Sequence, residues 1–464
     1  MDFILFKAAS NKTKQILTDF FTKGHERSIK AKKNILASLI IKGLSIAISL
    51  VLVPLTINYI NPSRYGIWLT LSSIVGWFSF FDIGLTQGLR NKFAEAKAKG
   101  EDNLAQILVS TTYAILAIIF SSVWIIFLII NHFLNWAQIL NISEIMQSEI
   151  SILAVIVFTY FCLQFVLRII TTLLIADQQP AKSSILDLFG QILSLVIISI
   201  LVMTTKGSLV KLGIALCISP LLVLIGGNLF FFKGSFKKYR PSFSTIKFSY
   251  AKGLLNLGVI FFIIQVAAII QYETANIIIA RNFGTLEVTS YNIVYKYFGI
   301  LSMGFMIFIG PFWSASTEAF LKNDLNWIRN GIRKYNQLNI ALFILSCVML
   351  FFSETIYKLW LGEGKVTIGF TLSLWGFLFF NIVMFGSKYV NFLNGINALR
   401  IQFWTSLFTP LLYIGIAILL IDYFKMGVYS LFVAALLANP NAYFIAPLQY
   451  YQIVVKGKRG IWVR

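Results

Sequence analysis

Apolar runs long enough to cross a bilayer recur along the whole of this 464-residue chain, and no other feature restricts its fold as strongly. A helix needs about 20 predominantly apolar residues to traverse the ~30 Å hydrocarbon layer. Such runs fall at residues 34–60, 65–89, 104–131, 150–175, 184–204, 210–232, 254–280, 290–315, 335–360, 368–394, 402–424 and 427–451. They are continuously apolar and do not alternate. Helices rather than barrel strands are therefore expected, because a helix satisfies its backbone hydrogen bonds within one segment. Composition agrees: 58% of residues are hydrophobic and only 12% are charged, whereas soluble proteins are about 25% charged. The expected fold is an all-α membrane protein with twelve transmembrane helices, and no stretch remains for a folded soluble domain.

Charge sets the expected topology. The net charge of +21 does not point to nucleic acid, because the basic residues are scattered over loops between apolar runs. With the amino terminus inside, the cytoplasmic segments hold 28 Lys or Arg and the outer segments six. That asymmetry places both termini of a multi-pass membrane protein in the cytoplasm. Residues 1–33 form a basic arm. Phe3, Ile4, Phe6, Ile16, Leu17, Phe20 and Phe21 are interleaved there with Lys7, Lys12, Lys14 and Lys23. The pattern fits either an amphipathic helix on the anionic membrane lipid of the inner leaflet or a partly disordered basic tail.

Little in the sequence suggests catalysis. Cys162, Cys217 and Cys347 lie inside apolar runs without mutual spacing, and read as small buried hydrophobes. His25 and His132 have no partners at metal-ligand spacing. There is no nucleophile–base set, no phosphate-cradling glycine loop and no paired carboxylates in one segment. No enzyme, no metal and no catalytic residue is expected.

The chain also reads as two related halves. Tyr65-Gly66-Ile67 resembles Tyr291-Asn292-Ile293, and Ala94-Glu95-Ala96 resembles Thr317-Glu318-Ala319. Arg168 precedes Asp177 by nine residues, as Lys388 precedes Asn397. The expected organisation is a 34–232 lobe and a 254–451 lobe, each of six helices, around a central cavity. A basic linker (233–253) joins them, and a basic tail (452–464) follows. Two such lobes can rock against each other and alternate access. Six prolines fall inside the runs: Pro54, Pro220, Pro311, Pro410, Pro440 and Pro447. Gly310-Pro311 is the clearest candidate bend.

Three stretches carry a family resemblance: Tyr65-Gly66-Ile67-Trp68, then Phe81-Asp82-Ile83-Gly84-Leu85 with Gly88-Leu89-Arg90, and Tyr239-Arg240-Pro241-Ser242-Phe243 ahead of Leu257-Gly258. Together with the run count and the basic central loop, they resemble the O-antigen and polysaccharide flippases of the multidrug/oligosaccharidyl-lipid/polysaccharide exporter superfamily. The resemblance implies two bundles around a cation-lined cavity. It implies that a polyprenyl-pyrophosphate-linked oligosaccharide is moved from the cytoplasmic to the periplasmic leaflet, without cofactor or ATP and with H+ or Na+ as candidate coupling ions. Glycosyltransferases and a polysaccharide polymerase are the implied partners. A drug or metabolite exporter of the same superfamily is an alternative, disfavoured because the first run carries Lys42 and no acid. A peptidoglycan-precursor flippase is another.

Ionisable residues inside apolar runs are costly and mark functional candidates. Lys42, Arg168, Lys296 and Lys388 are the expected head-group ligands, since arginine's fork and lysine's point charge both suit phosphate oxygens. The equivalent repeat positions of Arg168 and Lys388, with no acid within a helical turn of either, would aim one cation from each lobe at the pyrophosphate. Asp82 and Glu273 are candidates for ion coupling or charge pairing. Asp82 could neutralise Lys42, and Glu273 could pair with Lys296. Arg168 and Lys388 could equally snorkel to the interface. Lys358, between Tyr357 and Trp360, reads as an interfacial anchor.

Overall fold

The computed structural model of the protein describes residues 26–77, 85–177, 179–251, 273–396 and 398–463. The described residues are helical, with no β-strand among them. In the first half, α1 spans Glu26–Ile60, α2 Pro62–Gly76, α3 Leu85–Ala98, α4 Asp102–Asn131, α5 Gln147–Leu167, α6 Ile169–Ala176, α7 Pro180–Thr204 and α8 Leu209–Lys233. In the second half, α9 covers residues 273–283. It is followed by α10 (Thr285–Leu321), α11 (Leu325–Phe351), α12 (Ser353–Leu361), α13 (Phe370–Gly395), α14 (Arg400–Ile418) and α15 (Ser430–Ala438).

Among the described residues eight helices are long and apolar enough to span a membrane, or nine if the bent pair Ser430–Ala438 and Asn441–Val455 counts as one. Each matches an expected run. The other three runs, 65–89, 254–280 and 290–315, include residues or side chains outside the description. The ninth run is displaced: the spanning helix is Leu325–Phe351, ten residues earlier at its start than the apolar run. Asp324 explains this, because its carboxylate caps the Trp327 N–H at 3.0 Å and starts the helix within the basic segment. A sharp bend lies near the carboxyl end of the chain. Backbone helix continues through residues 310 and 311, whereas the chain turns by 50° around Pro440. Cys347 is exposed rather than buried.

Local rules fix the helix ends. Asn61 adopts φ 76° and accepts from the Arg64 N–H at 3.0 Å, with Pro62 at the first helical position of α2. Gly284, at φ 90°, makes the reversal between α9 and α10, a backbone region that L side chains avoid.

The first-half helices pack on one another, α1 on α7, α7 on α8 and α8 on α5, while α10 and α13 centre the second half. One end of the molecule, here the near end, carries the start of α1, the 234–250 segment and the carboxyl-terminal residues. Ile41 packs on Ala181 and Leu188 there, and Arg329 donates to the Val454 carbonyl at 2.7 Å. At the opposite, far end, Tyr59 meets Thr205 at 2.8 Å and Arg64 pairs with Glu149 at 3.7 Å. The 233–253 segment, expected as a linker, is strapped along α4. Lys238 and Tyr239 both bond Asp102, at 2.9 and 2.8 Å, and the Ser242 and Lys247 N–H groups donate to Ser110 and Thr111. Burial and the adjacent Asp102 carboxylate push the Tyr239 phenol up to about 12, so it stays a neutral donor at physiological pH.

Candidate functional site

Hydrogen bonds join the two halves at the far end of the molecule. Among the described residues, the hydrogen bonds that cross between them lie from mid-depth to the far end. Ser63 meets Thr285 at 2.8 Å, and Thr289 donates to the Pro62 carbonyl at 2.7 Å. Asn276 donates to the Ser73 hydroxyl at 2.8 Å, and Asn141 to the Arg281 carbonyl at 3.4 Å. Lys365 reaches Asn58. One bond follows directly from the sequence. Pro54 lacks the N–H that would bond the Leu50 carbonyl, and the Trp360 indole of the second half takes that acceptor at 2.9 Å. Trp360 is thus a tie between the halves. Lys358 itself is exposed and pairs with Glu354 at 2.8 Å.

Burial is graded along single helix faces. On α1, Lys42, Ile46, Ser49, Val53, Thr56 and Ile60 share one face at helical spacing. Val53, Thr56 and Ile60 are buried, Ile46 and Ser49 half-buried, and Lys42 exposed. On α10, Asn292, Lys296, Gly299, Met303 and Met306 share a face. Lys296 points across to the first half, whereas Met303 and Met306 are 54% and 47% exposed. Among the described residues, burial on these two faces thus falls from the far end toward the near end.

The sequence-derived cations occupy four different environments. Lys42 is exposed and has no ion-pair partner among the described residues. Arg168 stands at the break between α5 and α6 and pairs with Asp187 of α7 at 3.3 Å, with side chains 51% and 46% exposed. That corrects the expectation of an arginine without an acid nearby, since Asp187 lies on the next apolar run. Ser45 donates to Gln191 at 2.7 Å. The helices α1 and α7 run in the same direction, so Lys42 and Asp187, each about one turn before that bond, sit at one level. Lys42 and Arg168 therefore lie at about the same depth. Lys296 donates to the Tyr65 hydroxyl at 3.2 Å, 6.0 Å from the ring centroid, and is not ion-paired to Glu273. Lys388 has no solvent exposure. Its ammonium donates to Asn339 at 2.6 Å and to the Phe385 carbonyl at 2.8 Å, flanked by the Phe385 and Tyr389 rings at 4.1 and 4.9 Å. Arg168 and Lys388 thus do not share an environment. Asp82, its proposed pairing with Lys42, and Asn397 lie outside the described residues.

Lys388 makes a direct prediction. Asn339→Leu leaves a sealed ammonium with one carbonyl, and an intramembrane charge costs about 2.5–3.5 kcal/mol on insertion scales. Protein in the membrane fraction should fall several-fold, and Lys388→Met on that background should restore it. Unchanged abundance of Asn339→Leu would show that Asn339 does not hold the charge.

A cavity of about 410 Å³ lies at the junction of α2 with α9, α10, α13, α14 and α15. The Glu273 carboxylate, hydrogen-bonded to Ser73, faces it with Ser72, Asn276 and Asn292. Asn292 donates to Asn276 at 2.7 Å, and Asn276 in turn to Ser73. Tyr291, Tyr295 and Phe379 form the apolar wall. Sequence reading singled out Glu273 but not Ser72 or Asn292. Only the Tyr291-Asn292-Ile293 repeat element hinted at the latter.

Comparison with known proteins places this geometry. No known family profile matches the sequence. The chain is similar to a Salmonella typhimurium protein named "Putative O-antigen transporter", with 22% identity over 383 residues, 80% of this chain and 84% of that protein. A Salmonella typhi protein of the same name is 21% identical over 301 residues, 64% and 66% of the two chains. Among solved structures, an inward-facing multidrug MATE family transporter of the MOP superfamily matches with a TM-score of 0.74 at 12% identity, covering 91% of this chain and 98% of that one. An outward-facing MATE transporter matches with a TM-score of 0.65 at 12% identity, covering 94% and 98%. The fold is that of MOP-superfamily transporters, and each of these relatives is a transporter rather than an enzyme.

Proposed function

We propose that this chain is a flippase for a polyprenyl-pyrophosphate-linked oligosaccharide, an O-antigen or similar surface-glycan repeat unit. In this reading the near end faces the cytoplasm, the protein sits in the bacterial inner membrane, and a cleft between the halves delivers the head group to the periplasmic leaflet by alternating access. The observation that supports it is the set of ties between the halves at the far end, with Lys42 and Arg168 exposed at one level toward the near end, where this reading places the mouth of the cleft. A lipid-linked sugar made in the cytoplasm presents its anionic pyrophosphate first, and those two cations meet it there. The polyprenyl tail stays in hydrocarbon while the polar head enters between the halves. The relatives' names support the substrate class, and the better match to an inward-facing than to an outward-facing transporter supports the direction of opening. Lys296 lies deeper, tied to Tyr65, and follows after the first contact. Lys388 is already satisfied by Asn339 and offers nothing to a head group in this state. Lys42, exposed and without an acid partner among the described residues, disfavours organic-cation export.

The test is complementation. In a strain lacking its own O-antigen flippase, the chain is expected to restore surface glycan measured by immunoblot. Absence of surface glycan at normal membrane abundance, across strains with several different repeat units, would overturn the reading.

A further inference from the structure

We infer that the junction cavity at Glu273 is a carbohydrate subsite, which takes a sugar distal to the pyrophosphate; this rests on the flippase reading above. The chemistry is that of sugar recognition. A carboxylate, two carboxamides and two hydroxyls converge from α2, α9 and α10 opposite an aromatic wall, so one side hydrogen-bonds hydroxyls while the other packs on a ring's C–H face. The Ser72 hydroxyl is buried and has no hydrogen-bond partner among the described residues. A buried hydroxyl left unpaired is costly, and Ser72 is one of the residues that line the cavity. The volume, about 410 Å³, lies in the range of small-molecule sites, ~300–1,000 Å³. A single cation would leave most of it empty. Among the described residues no group of three or more acidic, His or Cys side chains gathers anywhere as a metal site.

Depth decides which sugar it takes. Lys42 lies eighteen residues before Ile60 and Ser72 ten residues after Pro62. At about 1.5 Å per residue these are roughly 27 and 15 Å from the far end. The cavity is therefore about 12 Å beyond the head-group level. A sugar bound directly to the pyrophosphate does not span that gap, whereas one further along the chain does. Asn292 lies on the α10 face that continues toward the near end as Met303 and Met306, so the two regions share a wall.

The experiment fills the cavity. Ser72→Leu and Ser72→Phe are compared with wild type in two flippase-deficient strains. One makes the full lipid-linked repeat unit; the other makes a lipid-linked form truncated to a single sugar. Surface or periplasmic glycan and membrane abundance are measured in both. The expected result is a graded loss of full-length export, at least 10-fold for Ser72→Phe, with single-sugar export within 2-fold of wild type. Equal export of both substrates by Ser72→Phe would overturn the subsite. Loss of both at normal abundance would also overturn it, assigning the cavity to a step common to all substrates such as ion coupling. Failure of the wild-type chain to export either substrate would instead reject the flippase reading itself.

Discussion

Gly66→Val is expected to reduce glycan export close to the background of a flippase-deficient strain while the protein stays inserted. At Gly66 the first turn of α2 meets the start of α10 backbone to backbone, and a β-carbon there would overlap the Thr285 carbonyl. The contact is buttressed on both sides, by Ser63 with Thr285 and by Thr289 with the Pro62 carbonyl. The atoms of the added side chain therefore have no room unless the halves separate. Overpacking of this kind costs about 1–3 kcal/mol. The junction is made only while the far end is closed, so the penalty falls on that state alone, and about 1–3 kcal/mol corresponds to roughly a 5–150-fold shift between states. Gly66→Ala should show a smaller loss in the same direction. Gly415→Ala, where a β-carbon meets nothing within 4 Å, should export normally. A second readout separates gating from misfolding: a cysteine at Ser63 should react with an impermeant thiol reagent faster in the Gly66→Val background. Normal export and unchanged labelling would mean that the far-end junction does not open and close during transport.

Gly66 also shows what could be read from the sequence and what could not. Apolar run length located the spans because the bilayer imposes it locally, on each helix by itself. The Tyr65-Gly66-Ile67-Trp68 stretch could be picked out, as could its repeat partner at Tyr291. The need for a glycine there, however, comes from Thr285, some 220 positions away. The charges follow the same division. That Arg168 and Lys388 are unusual follows from their apolar surroundings alone. Their partners come from other helices: Asp187 lies 19 residues on, and Asn339 lies 49 residues before Lys388. Helical periodicity shows which side of a helix a residue occupies but not which helix that side will meet. Repeat symmetry was misleading for the same reason. It equated two sequence positions, yet one falls at a helix break and is half exposed, while the other is sealed within an unbroken helix. The central segment, read as a basic linker, is tied to α4 by Asp102, Ser110 and Thr111, none of which carries a distinctive sequence signal.

Arg168→Gln is expected to lower export at least 10-fold without changing abundance, whereas Asp187→Asn should retain or raise it. Both side chains are about half exposed, and an ion pair of that kind contributes at most about 1 kcal/mol to stability, so losing it should not unfold the protein. For an incoming pyrophosphate the pair is a competition. The guanidinium fork can donate two parallel N–H bonds to phosphate oxygens, but it donates to Asp187 in the empty state at 3.3 Å. Removing the carboxylate frees the fork and removes a repulsive charge from the entry level shared with Lys42. Removing the arginine leaves Asp187 facing the anion alone. The double variant should therefore export better than Arg168→Gln and less well than Asp187→Asn. Arg168→Lys should be intermediate, keeping the charge but not the planar geometry. Export is measured as surface glycan at limiting substrate supply, with membrane abundance as the control. A merely structural pair predicts a different pattern, with equal losses in the two single variants and recovery in the double. That pattern, or normal export by Arg168→Gln, would assign Arg168 to packing of α6 against α7 and leave Lys42 as the exposed cation at the level where the head group enters.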